Sequence, residues 1–272
     1  MSLSVSRYVS HLFSGTRAVT MAMFLIAAMA LATITTAWAQ NTCNAFGTID
    51  MGKYWINNNT WGQSSGTGWE CIWSWGSASS SWGWGTSWSW ANSPSSVKAY
   101  PSVVLGWHWG WRRSGTGLPV QLSANRNVNS GWNYTVRQTG TNVMNVAYDL
   151  WFHPISNPGS SNNPSDELMI WLYRSGGAGP AGTYQATVNL AGTSWDLYRG
   201  FIGSGSSGWN VYSFVRRSNT TSATMNLRDF TNHIVSRGWM SNSKYLTSVQ
   251  AGSEIFTGTG QLDVNSYYCN VQ

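Results

Sequence analysis

The sequence predicts an all-β domain: a β-jelly-roll sandwich of two antiparallel sheets with one helix packed on its convex side. Clusters of Gly, Ser, Asn and Thr recur roughly every eight to fifteen residues, and aromatic and β-branched runs alternate between them. Such spacing is typical of short strands joined by turns. Leu227, Phe230 and Ile234 have helical spacing, and Thr221 or Ser222 is the expected N-cap.

The amino-terminal segment has the features of a secretory signal peptide. Residues 21–31 form a dense apolar stretch after two arginines, and residues 37–39 read Ala-Trp-Ala, an A-x-A cleavage site. We therefore expect residues 1–39 to be a signal peptide, the protein to be secreted, and residues 40–272 to form a single domain. An uncleaved membrane anchor is the alternative, although threonines interrupt the apolar stretch.

Charge and cysteine content narrow the possible partners. The formal net charge is +6, but the basic residues are scattered, with Arg112–Arg113 and Arg216–Arg217 as the only adjacent pairs. We therefore expect no nucleic-acid partner. We also expect no membrane partner after signal cleavage, and we expect the protein to be a monomer. Three cysteines, Cys43, Cys71 and Cys269, allow one disulfide and one free thiol, and spacing leaves both Cys43–Cys71 and Cys43–Cys269 open. No Cys/His cluster suggests a metal site, and no cofactor is expected.

Glu167 is an acid inside an apolar strand-like run, residues 166–172, in a chain with only three glutamates. Strand side chains alternate between two faces, so Glu167, Met169 and Trp171 share one face and the leucines and Ile170 share the other. Burial of an unpaired carboxylate costs several kcal/mol. The run therefore indicates either a functional acid beside an aromatic ring or a structural acid paired with an arginine.

Two further patterns place aromatic rings near acids. In residues 146–152, alternation puts Asp149 and Trp151 on the face opposite the apolar residues. The chain also has 19 tryptophans, more than a core needs, and the surplus suits stacking on sugar rings. Residues 76–90 are expected to form strand and turn, and Trp82, Trp84, Trp88 and Trp90 have the spacing of one strand face. Residues 107–111 are expected to form a strand with Trp107, Trp109 and Trp111 on one face.

A second acid completes a possible pair. Glu254 lies among small and aromatic residues without a nearby base, whereas Glu70 adjoins Cys71. Glycoside hydrolysis requires one carboxyl group that protonates the leaving oxygen and another that attacks or stabilises the anomeric carbon, about 5.5 Å apart in retaining enzymes. Glu167 and Glu254 are the candidates, placed on separate strands across a cleft.

Several motifs together resemble family 12 of the glycoside hydrolases, the small endoglucanases. They are Glu167–Leu172 with the glycine-rich Gly176–Gly182, Val146–Asp149, Asn57–Gly62, Val97–Pro101, the Cys43/Cys71 spacing, and Glu254 with Gly258, Gly260 and Asn265–Ser266 after it. The match covers nearly the whole segment after the signal. Asp166, the tryptophan-rich segment and Cys269 depart from the family pattern.

The resemblance implies endo-hydrolysis of β-1,4-glucan with retention at the anomeric carbon. It implies that Glu167 is the nucleophile, that Glu254 is the acid/base, and that Asp149 assists Glu167. It also implies a Cys43–Cys71 disulfide. Substrate-binding roles are expected for several groove residues, namely Trp61, Asn59, Met169, Trp55 and Trp151. The alternatives are that Asp149 pairs with an arginine, that Met169 is core, and that Trp61 packs against a loop.

Other functions fit the sequence less well. A xyloglucan-specific endoglucanase is the first alternative, because the family holds both activities. A non-catalytic glucan-binding lectin, or a wall-loosening protein that binds glucan, would not need Glu167, Asp149 and Glu254 together. The Gly-x-Ser-x-Gly match at residues 62–66 has no helical pattern after it, so Ser64 is not expected to be a nucleophile.

Overall fold

The computed structural model describes residues 40–76 and 82–272, so the expected signal peptide lies outside the described residues. Within these ranges the chain forms fifteen strands and one α-helix, α1 (Arg228–Ser236). The strands are, in chain order, β1 (Asn41–Thr42), β2 (Thr48–Met51), β3 (Tyr54–Asn57), β4 (Thr67–Trp75), β5 (Gly83–Ala91), β6 (Ser102–Gly106), β7 (Val120–Gln121), β8 (Val128–His153), β9 (Asp166–Ser175), β10 (Thr183–Leu190), β11 (Thr193–Ile202), β12 (Trp209–Arg216), β13 (Ser222–Asn226), β14 (Tyr245–Gly252) and β15 (Ile255–Val271).

All fifteen strands belong to one continuous hydrogen-bonded sheet, which curves at β8 into two layers, called here the two sheets. This architecture confirms the predicted jelly roll. One sheet runs in the order β1-β4-β5-β15-β8, with β13 along the other side of β8. The second sheet runs in the order β2-β3-β6-β14-β8-β9-β12-β11-β10. The pairing is antiparallel except between β9 and β12, which are parallel. Both sheets therefore meet along one strand, β8.

Strand β8 is 26 residues long and belongs to both sheets. Its first part pairs with β15, where Val128 lies opposite Val271. Its last part pairs with β9 and β14, where Asp149 lies between Met169 and Gln250. The strand that completes the core of one sheet therefore carries Asp149 into the other sheet.

Burial follows the predicted alternation on the strands that carry the acids. Tyr148 and Leu150 on β8, and Leu168 and Ile170 on β9, are fully buried between the sheets. Their neighbours Asp149, Trp151, Glu167 and Met169 point to the opposite, concave face. On β5, Trp84, Trp88 and Trp90 share one face and are buried in the core, which confirms the predicted alternation for these three; Trp82, just before the strand, packs against the same core, and residues 77–81 lie outside the described residues.

The helix α1 packs on the back of the second sheet, as predicted. The Phe230 ring contacts Trp195 of β11 and Phe214 of β12 edge to face, with centroids 5.0 and 5.1 Å away. The predicted N-cap is wrong, because residues 222–226 continue as strand β13 paired with β8. Instead, the side-chain oxygen of Asn226 accepts a hydrogen bond from the Arg228 amide at 3.2 Å.

The predicted strand over residues 107–111 is also wrong. Strand β6 ends at Gly106, and a tight turn follows, closed by hydrogen bonds between His108 and Trp111. Trp109 and Gly110 have φ angles of 44° and 91°, outside the range of regular β-strand backbone. The three tryptophans therefore do not share a strand face: Trp107 is buried, whereas Trp111 is 62% exposed.

The disulfide implied by the resemblance is present. Cys43 and Cys71 are bonded and join the start of the described chain to β4, while Cys269 is a buried free thiol. No helix in residues 40–76 or 82–272 has the length and apolar content needed to cross a membrane.

Glu70 of β4 is 2% exposed, and none of the ion pairs among the described residues involves it; Trp90 is its hydrogen-bond partner. Burial raises the pKa of Glu70 well above its usual value. In the unfolded protein Glu70 ionises freely, with a pKa of about 4.3, whereas in the folded protein burial opposes its ionisation. The free energy of unfolding therefore falls progressively as pH rises above about 4.3. We expect Glu70→Gln to raise Tm at pH 8, by about 2–4 °C for each 1 kcal/mol recovered, and to change it little at pH 4.

Calorimetry at both pH values checks this expectation. The matched control is Asp229→Asn, at a partly exposed carboxyl in the first turn of α1. This control should show no gain at pH 8. An equal Tm change at pH 4 and pH 8 for Glu70→Gln would contradict the interpretation.

Candidate active site

An open groove of about 760 Å³ lies on the concave face of the second sheet. It contains every acid and every substrate-binding residue that the sequence predicted. They are Glu167, Glu254, Asp149, Trp61, Asn59, Met169, Trp55 and Trp151. The three acids come from β9, from the connection between β14 and β15, and from β8. The expectation that Glu254 lies within a strand is wrong, since it occupies the two-residue connection between β14 and β15.

The register of β8 and β9 sets the position of Glu167. Trp151 lies opposite Glu167, and Asp149 lies opposite Met169 on the same concave face. Glu167 is 6% exposed and Asp149 is 4% exposed. Among the residues that the structure describes, no ion pair involves either acid, so pairing with an arginine does not explain them. Asp166, one residue earlier, faces the other way and pairs with Lys244.

Two donors hold the Glu167 carboxylate. The indole N–H of Trp209 donates to its Oε2 at 2.6 Å, and a second hydrogen bond joins it to Asp149. Burial, and then the charges of Glu167 and Glu254, raise the pKa of Asp149 well above its usual value. Burial raises the pKa of Glu167 as well, and the hydrogen bonds from Trp209 and Asp149 oppose that rise. The two carboxyls are therefore coupled, and a proton held by Asp149 in their shared hydrogen bond favours the ionised form of Glu167.

Glu254 is held by one residue, Asn145 of β8. The Asn145 side-chain NH₂ donates to Glu254 Oε2, and the Glu254 amide donates to Asn145 Oδ1 at 3.1 Å. The Asn145 amide in turn donates to the Glu254 backbone oxygen at 3.0 Å. Burial raises the pKa of Glu254 to about 7, and the hydrogen bond from Asn145 opposes the rise. Glu254 therefore keeps its proton over a wide acidic range.

The three acids are close enough to influence one another and a nearby phenol. Burial and the charges of Asp149, Glu254 and Glu167 raise the pKa of Tyr100, whose hydroxyl donates to the Ala147 carbonyl at 2.9 Å. Three neighbouring carboxyls in one groove resist joint ionisation, so they separate into protonated and ionised members. In the described ranges, no group of three or more His, Cys, Asp or Glu side chains could hold a metal ion.

Aromatic rings form the wall and the rim of the groove. Trp61 and Trp111 are 60% and 62% exposed and stand at the rim, where a flat ring can stack on a sugar. Trp55 and Met169 line the wall but are only 3% and 6% exposed, so each side chain presents little surface to a ligand in the groove. The exposure of Trp61 excludes the alternative that it is packed against a loop. Met169 contacts a small apolar cluster as well as the groove.

Sequence reasoning missed three residues that contact the acids or lie beside them in the groove. Asn145 directly precedes the Val146–Asp149 motif, so its position next to a functional strand was the available signal. Tyr100 lies in a segment noted only for its resemblance. Trp209 begins β12 in an alternating run that predicts core, and nothing in that run indicates that its N–H meets Glu167.

Comparison with known proteins identifies relatives along most of the chain. The sequence model of glycosyl hydrolase family 12 matches residues 52–272. Endoglucanase S of Pectobacterium parmentieri is 41% identical over 232 residues, which cover 81% of this chain and 82% of the relative. Xyloglucan-specific endo-beta-1,4-glucanase A of Emericella nidulans is 38% identical over 249 residues, which cover 84% of this chain and 90% of the relative.

Solved structures give the same result in three dimensions. A family 12 xyloglucanase from Bacillus licheniformis superposes with a TM-score of 0.79 at 40% identity and covers 86% of this chain and 100% of its own. Endoglucanase 3 of Trichoderma harzianum superposes with a TM-score of 0.75 at 30% identity, covering 87% of this chain and 99% of its own. Because the family model matches residues 52–272 and the relatives agree in both sequence and fold, the chain belongs to glycosyl hydrolase family 12.

Proposed function

We propose that this chain is a secreted endo-β-1,4-glucanase that hydrolyses internal bonds of cellulose or β-glucan with retention at the anomeric carbon. The observation that carries the proposal is the trio of carboxyls in an open, tryptophan-lined groove. In that trio Glu167 receives hydrogen bonds from Trp209 and Asp149, whereas Glu254 is held by Asn145. The groove is open to solvent at the rim, which suits attack within a long chain.

The proposed reaction has two steps. In the first, the ionised Glu167 attacks the anomeric carbon while Glu254 gives its proton to the leaving oxygen, so a covalent glycosyl-enzyme forms and the glycosidic bond breaks. In the second, Glu254 takes a proton from water, which attacks the anomeric carbon and releases Glu167. Asp149 donates its hydrogen bond to Glu167 throughout. Trp61, Trp55, Asn59, Met169 and Trp151 contact the bound glucan.

Xyloglucan is the second candidate substrate. Two of the relatives described above are a xyloglucan-specific endo-glucanase and a family 12 xyloglucanase, at 38% and 40% identity. The exposed rim at Trp61 and Trp111 leaves space for a branched backbone. We further propose that residues 1–39 direct secretion, that residues 40–272 are the catalytic domain, and that it acts as a monomer.

The test is the release of reducing ends by purified residues 40–272 from carboxymethyl-cellulose, mixed-linkage β-glucan and xyloglucan. Activity on the unbranched glucans supports the main proposal, and activity on xyloglucan alone supports the second candidate. If the protein binds these glucans but cuts none of them, it is a lectin and the enzyme proposal is wrong. Early NMR spectra of the products should show the β-anomer first, and an initial α-anomer would contradict retention.

A further inference from the structure

We propose that Trp209 is a positioning residue for the nucleophile: its indole N–H fixes the orientation of the Glu167 carboxylate and stabilises its ionised form. The inference rests on the proposed function, because it assigns Glu167 the role of nucleophile. It concerns a residue outside every motif that the sequence singled out. The contact itself is short and polar, with 2.6 Å between Trp209 Nε1 and Glu167 Oε2.

The sheet pairing aims the Trp209 ring at Glu167. Strand β12 runs parallel to β9, with Val211 opposite Glu167 and Asn210 opposite Asp166. Trp209 lies two residues before Val211 and shares its face, which is the concave face of the sheet. The ring is therefore a diagonal cross-strand neighbour of Glu167, within reach of a large side chain.

Neighbouring rings restrict the orientation of the indole. Trp209 and Trp151 meet edge to face, with centroids 5.4 Å apart and planes at 72°. Trp151 makes a second edge-to-face contact with Trp109, at 5.3 Å and 82°. Edge-to-face aromatic pairs have a preferred geometry, so this row of three rings limits rotation of Trp209. The N–H direction is thus set before substrate binds.

The chemistry of the two donors on Glu167 differs. The donation by Asp149 depends on its own proton, which is shared among coupled carboxyls. An indole N–H is a donor only and does not titrate in the working range of proteins. Hydrogen bonding to the charged form lowers the pKa of a carboxyl, which here opposes the rise caused by burial. Trp209 therefore keeps its effect at every pH.

The decisive variant is Trp209→Phe, which keeps an aromatic ring against Trp151 and removes the N–H. We expect kcat to fall about 10- to 100-fold, the range for loss of one hydrogen bond to a charged group, with KM nearly unchanged. The acidic limb of the kcat/KM profile should move to higher pH, because the pKa of Glu167 rises when a donor is lost. A purely structural role for Trp209 would not move this limb.

The matched control is Trp195→Phe on β11. It removes another indole hydrogen bond, from Trp195 Nε1 to the Leu190 carbonyl at 2.9 Å, away from the groove lining. This variant should keep the wild-type pH profile. An unchanged kcat and acidic limb in Trp209→Phe, with an active wild type, would overturn the inference alone, whereas a wild type inactive on every glucan would overturn the proposed function.

A second measurement covers the case in which Trp209→Phe does not fold. In ¹⁵N-resolved NMR spectra of the wild-type protein, the Trp209 indole N–H signal should shift with pH as Glu167 titrates. The shift should be absent in Glu167→Gln. A Trp209 indole signal that is independent of pH in the wild type, across the acidic limb of its activity, would overturn the inference.

Discussion

Glu167→Gln is expected to lower kcat on soluble β-1,4-glucan by on the order of 10⁴-fold or more, while glucan binding persists. The amide has nearly the shape of the carboxylate and can still accept the Trp209 hydrogen bond, but it cannot form the glycosyl-enzyme. The stacking rings at the rim are unchanged, so affinity for oligosaccharides should stay within a few-fold. Reducing-end assays and titration of tryptophan fluorescence with cello-oligosaccharides measure the two quantities.

Azide provides a sharper test of the role of Glu167. In Glu167→Ala, a small anion can occupy the vacated space and attack the anomeric carbon of an activated aryl glycoside from that side. The expected product is an α-glycosyl azide, with activity partly restored. Restoration with a β-glycosyl azide would place Glu167 on the wrong face of the sugar and contradict its assignment as nucleophile.

Glu254→Gln is expected to lower kcat on polymers by on the order of 10²- to 10⁴-fold, the usual contribution of general acid–base catalysis. The loss should be smaller for the first step on aryl glycosides with good leaving groups, which need no proton. Azide should then release a β-glycosyl azide, since it replaces the water that Glu254 activates. This pattern distinguishes the acid/base from the nucleophile.

The pH dependence follows from the state of Glu254. In the proposed mechanism Glu254 must hold its proton for the first step, and burial raises its pKa to about 7. Activity should therefore fall as pH rises through about 7, and this basic limb should be absent from Glu254→Gln. The control is Glu70→Gln, which replaces the remaining glutamate of the chain, buried outside the groove lining, and should keep the limb. A basic limb that persists in Glu254→Gln would assign it to another group.

The sequence predicted those parts of the site that depend on strand alternation. A period of two residues is fixed by backbone geometry, so Glu167 and Met169 were placed on one face and Asp149 and Trp151 on another, and the register of β8 and β9 unites these faces. Glu254 was found because acids are scarce in the chain. Its location outside a strand was missed because β14 ends only two residues before it and β15 begins directly after it.

The missed features depend on tertiary contacts or on single backbone angles. The turn at residues 107–111 is produced by positive φ angles at Trp109 and Gly110, and the alternating tryptophans gave no sign of it. The N–H of Trp209 and the amide of Asn145 act through their direction in space. Hydrogen-bond direction is set by the packing of strands distant in sequence, and no local pattern encodes it.

The continuity of strand β8 determines how the enzyme is expected to unfold and lose activity on heating. Because one continuous strand carries core residues of one sheet and Asp149 of the other, the floor of the groove cannot loosen while the core stays intact. Backbone amides around Asp149 should exchange with deuterium only through global unfolding, as in the most protected segments of a domain. Thermal inactivation and loss of tertiary structure should then follow the same curve, without a folded but inactive intermediate.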